Sequence, residues 1–215
     1  MMASSSIKMF QKEYPLGYCA VRFLGQWQKR EESLYKEISP NATKDSISNA
    51  LAYFQVSRNF PDLKKDGNLK LEKARKALVE IKADKRHSTE CEKVIKLSER
   101  FKKEFGSFNL SAASKLLWLS YRSPYIVYDK RAVTALKQKF NLKFNSHNYT
   151  EYVSAWKSVY TNVEADIEKA ILTLPTGRAF MPETALTDSQ LTDLANQPWF
   201  KERVFDIFLW EMGGK

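Results

Sequence analysis

The stretch Phe108-Asn-Leu-Ser-Ala-Ala-Ser-Lys-Leu-Leu-Trp-Leu-Ser-Tyr-Arg-Ser-Pro-Tyr-Ile-Val-Tyr-Asp-Lys-Arg-Ala-Val-Thr-Ala-Leu136 decides how the chain is read. A helical pattern before it stops at Gly106, a residue suited to the left-handed turn that closes a helix. The short link Ser107-Phe108-Asn109 leads into a helix from about Ser111 to Tyr121, which opens on small residues, Ser111 to Ser114, followed by Lys115. Small side chains at a helix start let a ligand approach the unpaired backbone N–H groups, and those groups with the helix dipole favour a phosphate. After Pro124, residues Tyr125 to Tyr128 form a brief extended piece, and Asp129 is placed to cap a third helix through Phe140. One helix start offers amides and an amine; the next offers a carboxylate.

Helical periods dominate on both sides. Val21, Leu24, Trp27, Leu34 and Ile38 predict a helix from about Gly17 to Ser39, stopped by Pro40. Ile47, Leu51 and Phe54 predict another from Lys44 to Asn59, capped by Thr43 or Asn41, before a break at Asn59–Asp62 and an exposed turn at Lys64–Asn68. Leu71, Ala74, Leu78 and Ile81 mark a helix over Lys70–Ala83. Val94, Leu97, Phe101 and Phe105 mark one over Ser88–Phe105, capped by Ser88 or Thr89. A long helix is expected from Asn148 or Thr150 to Leu174, with Tyr152, Trp156, Val159, Val163, Ile167 and Ile171 at period 3–4. Thr187 to Gln190 has capping-box spacing, and Pro198 begins a last helix with Phe200, Val204, Ile207 or Phe208, and Met212 facing inward. With no internal repeat and no run of alternating strands, the fold class is all-α with at most a minor hairpin.

Composition bounds the rest. The 215 residues are 43% apolar, enough to build a core, and length fits one large domain or two small ones. Only 7 Gly and 7 Pro exclude collagen-like and low-complexity chains and argue against a turn-dense β-sandwich. Cys19 and Cys91 cannot build a disulfide framework, so a reducing compartment is expected. No apolar run is long enough for a membrane span, and the polar start Met1–Ser6 is not followed by a signal-peptide core. A cytoplasmic protein is the expectation. The formal charge of +10 points to a polyanionic partner, and its distribution says more. Nine basic residues (Lys102, Lys103, Lys115, Arg122, Lys130, Arg131, Lys137, Lys139 and Lys143) face two acidic ones, Glu104 and Asp129, between positions 101 and 145, whereas acids outnumber bases six to three from Pro182 onward. Basicity concentrated in this way is the footprint of phosphate-backbone contact.

The central segment resembles the helix-hairpin-helix DNA glycosylase superfamily, in particular its 8-oxoguanine DNA glycosylase-like branch. That family has a Gly-x-Gly-x-Lys pattern at the hairpin and, a helix later, an extended piece ending in an Asp that heads the next helix. Here Ser111-Ala112-Ala113-Ser114-Lys115 stands at the first place, with Ser111 and Ala113 where the family has glycine, and Val127-Tyr128-Asp129 stands at the second. The likeness covers roughly residues 86–140. The closing run Trp199–Trp210 also looks like the final helix that helps wall the base pocket in such proteins.

What the resemblance implies is an all-α, helix-hairpin-helix DNA glycosylase-like fold. Two helical lobes would surround a central hairpin segment at about 88–140, in a single unit over residues 1–215. It implies a monomer acting on double-stranded DNA near the nucleoid, without cofactor or membrane. The activity would be a DNA N-glycosylase, with or without AP-lyase activity through Lys115, excising a damaged or modified base in repair or anti-phage defence. Lys115 would be the nucleophile on sugar C1′ and Asp129 the electrostatic and proton-transfer partner. Ser111, Ala113 and Ser114 would hold phosphate through the helix start. Arg122, Lys130 and Arg131 are candidate phosphate contacts or a solvated basic face. Asp206 and Trp210 are candidates for the base pocket, against a surface carboxylate and a core anchor. His87 and Cys91 share one helix face, but no third ligand is evident, so no metal is expected. The rival classes are a catalytically inactive DNA-binding module of the same fold and a helical protein-interaction domain.

The chemistry asks for these residue types. Cleaving an N-glycosidic bond develops positive charge on the sugar, which a fixed carboxylate stabilises. A lysine attacks carbon only when unprotonated. The base must leave the stack for a pocket with aromatic or apolar walls, and 5 Trp, 10 Tyr and 13 Phe supply ample material for such walls and for a core.

Overall fold

The structure, a computed structural model, describes residues 11–12, 15–60, 69–84, 89–177 and 184–214. Among them the regular elements are helices and there is no strand. In chain order they are α1 (Leu16–Gln26), a π-helical turn (Trp27–Glu31), α2 (Glu32–Ile38), α3 (Lys44–Tyr53), a 3-10 turn (Ser57–Asn59), α4 (Leu69–Ala83), α5 (Glu90–Phe105), α6 (Leu110–Tyr121), α7 (Lys130–Gln138), α8 (Tyr149–Ile171), α9 (Asp188–Ala195) and α10 (Pro198–Met212). No minor hairpin forms among the described residues. Tyr125, Ile126 and Val127 are buried but join no ladder. The turn expected at Lys64–Asn68, the alternative cap Ser88, and Lys85, Arg86 and His87 lie outside the described residues.

The chain divides into two compact units, Met1–Arg30 with Asp129–Lys215, and Glu31–Tyr128. The division passes through the π-helical turn and again immediately before Asp129. The segment 88–140 is therefore shared: α5 and α6 belong to the continuous unit and α7 to the discontinuous one.

In the continuous unit, local chemistry sets the helix ends. Thr43 and Ser46 form a reciprocal capping box at the start of α3. That helix ends at Tyr53, short of the expected Asn59, because Gln55 adopts φ 55° and the Val56 N–H reaches back to the Leu51 carbonyl at 2.9 Å. Thr89 caps α5 by accepting the Glu92 N–H at 3.4 Å, and Gly106 closes it at φ 74°, where an L side chain would be strained. Phe60 packs edge-on against Phe101 and Phe105, with ring centroids 5.2 and 5.0 Å apart. Helix α6 lies at the centre: from Leu110 to Ser120 every side chain except Ser111 is buried. A helix buried on all faces needs core around it, which α5, α2 and α3 provide.

In the discontinuous unit, α8 carries the expected stripe of Tyr152, Trp156, Val159, Val163, Ile167 and Ile171, and Asn148 caps it by accepting the Thr150 and Glu151 N–H groups. Thr187 and Gln190 complete their capping box, and Pro198 occupies the first turn of α10, where its missing N–H costs nothing. Helix α7 ends at Gln138 rather than Phe140, and the left-handed Asn141 (φ 58°) turns the chain away. Helix α10 is buried continuously from Arg203 to Leu209 and packs on α1, α7 and α8. Phe23 of α1 sits against Phe200, with centroids 4.9 Å apart, and Trp27 meets Trp199 at 4.4 Å.

After α10 the chain passes close over α7. A Cβ on Gly213 would fall 1.9 Å from the Arg131 carbonyl oxygen and 2.6 Å from its carbon. Both are backbone atoms, so relief requires moving one helix end away from the other. Gly213→Ala is expected to destabilise this unit by about 1–3 kcal/mol, the usual cost of overpacking. Urea unfolding followed by tryptophan fluorescence measures it.

Candidate functional site

Helix α6 begins one residue before Ser111. Asn109 caps it, its Oδ1 accepting the Ala112 N–H at 3.0 Å. Ala113 and Ser114 are fully buried. Their side chains pack inward rather than toward a phosphate, and the Ala112 N–H is already engaged, so an anion at this end would meet Ser111 first. Ser114 instead ties two segments together. Its hydroxyl accepts the Tyr128 N–H at 2.9 Å, fastening the chain just before Asp129 to the start of α6.

Lys115 is 5% exposed and is the only buried lysine among the described residues. Its ammonium donates to Ser111 Oγ at 2.9 Å, one helical turn back, and lies 5.5 Å from the centroid of the Phe54 ring. Lysines are rarely buried, because an ammonium removed from water loses hydration that few partners replace.

Arg122 ends α6 in the same unit. It sits at φ 62°, ψ −130°, a conformation that favours glycine, with its guanidinium 3.9 Å from the centroid of the Tyr35 ring. The Tyr35 hydroxyl is held below its ordinary value by hydrogen bonds to Ser39 and then Arg122, which outweigh the opposing effect of burial.

In the other unit, Asp129 caps α7 as expected, its Oδ1 accepting the Arg131 N–H at 2.9 Å. Lys130 and Arg131 are exposed. The Arg131 guanidinium lies 3.9 Å from the centroid of the Trp210 ring and that of Arg22 lies 4.9 Å away, while Arg22 also pairs with Glu211. Trp210 thus holds two arginines against the end of α10.

Asp206 is no surface carboxylate. It is buried, accepting the Trp156 indole N–H at 2.8 Å and the Arg203 guanidinium at 3.2 Å. Burial pushes its carboxyl up to about 6, against the lowering effects of Arg203 and the Trp156 hydrogen bond, and the charge of Asp129 raises it further. The structure therefore brings Asp129 and Asp206 within electrostatic reach inside one unit. Lys115 belongs to the other.

No protein-family model, curated protein or solved structure matches the chain. Among the described residues no group of three His, Cys, Asp or Glu side chains could hold a metal ion, and no helix is long and apolar enough to cross a membrane. Cys19 and Cys91 are buried and form no disulfide, and burial pushes the Cys19 thiol up to about 12.

Several contributors carried no signal of their own in the sequence. Phe54, just after α3, and Tyr35 of α2 approach α6 from far earlier in the chain. Trp156 reads as core and is core, but its indole N–H also holds Asp206. Arg203 and Asp206 did leave a trace, since opposite charges at i,i+3 within an apolar run suit a buried pair.

Asp206 gives a pH dependence with a definite sign. Its folded-state value lies above the ordinary 3.8, so the folded protein holds this proton more tightly than the unfolded chain. The stabilisation is complete below the ordinary value and is lost as pH rises toward 6. Measured by urea unfolding between about pH 4 and pH 7, the stability of the wild type relative to Asp206→Asn should fall by on the order of 2–3 kcal/mol. A difference that stays flat, or grows with pH, rules out a buried acid with a raised value.

Proposed function

We propose that the chain is a DNA N-glycosylase of helix-hairpin-helix type, acting on a damaged or modified base with lyase chemistry through Lys115. The observation that carries the reading is the buried Lys115, its amine held by Ser111 in the first turns of a helix that is otherwise core. A surface lysine would need no such setting. The Asp129 cap at the start of α7 and the basic stretch around both residues support the same reading.

In this reaction the neutral Lys115 amine attacks C1′ of the nucleotide. The C1′–N bond breaks and its electron pair leaves with the base, which takes up a proton. Loss of a proton from the attacking nitrogen and opening of the sugar ring give a Schiff base. Positive charge grows on the sugar during bond breaking, and the Asp129 carboxylate opposes it. Arg122, Lys130 and Arg131 hold the DNA backbone, contributing affinity rather than base choice. The same steps serve repair and defence against modified phage DNA.

Borohydride trapping on duplexes carrying a panel of modified bases, 8-oxoguanine among them, tests this. Wild type should form a covalent adduct and Lys115→Ala none. Asp129→Asn keeps a capping side chain, so it should fold normally while slowing base release by about 100-fold or more. An adduct formed equally by Lys115→Ala overturns the assignment of the nucleophile. Salt-sensitive duplex binding with no base released from any substrate overturns the enzymatic reading and leaves a DNA-binding module.

A further inference from the structure

Tyr121 is 39% exposed, at the end of a helix that is otherwise core. Its ring cannot swing freely: the hydroxyl donates to the Lys82 carbonyl at 3.3 Å, and the ring stacks on buried Tyr125 at 5.4 Å between centroids and 20° between planes. The ammonium groups of Lys82 and Lys93 lie 5.7 and 5.8 Å from its centroid. Lys82 is itself anchored, donating to the Ile38 and Ser39 carbonyls at 3.2 and 2.6 Å. Next in the chain comes Arg122, in a backbone conformation that glycine would adopt without strain, with its guanidinium over the Tyr35 ring. Strained residues persist where the side chain is needed, and here the side chain is a fixed cation. Glu90 also lies within reach of this cluster, its charge felt by Tyr125.

We infer that this surface, formed by Tyr121, Arg122, Lys82 and Lys93, binds an unpaired nucleic-acid strand, with the tyrosine ring as the platform for a base and the three cations along its phosphates. It rests on the nucleic-acid part of the reading above and not on its chemistry. Exposed aromatic rings flanked by fixed cations suit single strands because every base has a face to stack, and the backbone follows the positive groups. A duplex hides those faces, so a protruding ring offers it nothing. An acidic protein would use the cations and leave the ring idle.

Fluorescence anisotropy with a labelled single-stranded oligothymidine, and with a duplex of equal length, tests the inference on the full chain. Wild type should bind the single strand at low salt and lose it steeply as salt rises. Tyr121→Ala should weaken binding at least about fivefold. Lys93→Gln should weaken it and reduce the salt slope by roughly 0.7. Arg122→Gly is the decisive variant, because glycine relieves the backbone while removing the guanidinium. The relief offsets the lost contact with Tyr35, so the variant should stay folded yet bind the strand more weakly, and it serves even if Tyr121→Ala fails to fold. The inference is overturned if wild type ignores the single strand, or if folded Arg122→Gly binds it as wild type does. Lys115-dependent trapping without strand binding sinks this inference alone; strand binding without base release sinks the enzymatic reading alone.

Discussion

Helix α6 has no exposed face over most of its length, and that constraint governs its surroundings. A buried helix can carry polar side chains only if each finds a partner at close range. Lys115 meets Ser111, Ser114 meets the Tyr128 N–H, and Ser120 donates to the Leu116 carbonyl. Each solution restricts something else. The Ser114 contact fixes the chain before Asp129, and the Lys115 contact holds an amine inside the core. A sequence selected for packing alone would place leucine or alanine at these positions, as it does at Leu116, Leu117 and Leu119.

The discontinuous unit solves a parallel problem with opposite charges. Asp206 and Arg203 lie in the most apolar stretch of α10, and Trp156 supplies the remaining hydrogen bond from α8. Breaking such a cluster by removing one member leaves an unpaired buried charge, which costs more than the intact cluster contributes. The charge of Asp129 lies within electrostatic reach and adds to the raising of the Asp206 carboxyl.

Features written in local chemistry were legible in the sequence. The Thr187–Gln190 capping box, Pro198 in its first turn, Gly106 at the end of α5, Asn148 before α8 and Asp129 before α7 depend on residues within a turn of one another, and all formed. Features that depend on distant partners were not legible. Nothing near Asp206 announces that Trp156, 50 positions away, donates to it. The small residues Ala113 and Ser114 read as an open phosphate site because small size is equally suited to close packing, and the surrounding core decides which. Likewise, no spacing rule foretells that Gln55 takes a left-handed conformation and ends α3 early. At Lys115 the sequence supplied the residue, and the fold supplied its burial.

The two units are interrupted unequally. Residues 31–128 follow one another without a break, whereas their companion waits for α7 to α10 before α1 has a core to join. As the chain leaves the ribosome, the uninterrupted portion has all its parts first and can complete its packing while Phe23 and Trp27 still lack Trp199 and Phe200. Until α10 emerges, Phe23 and Trp27 lack the two rings that they pack against.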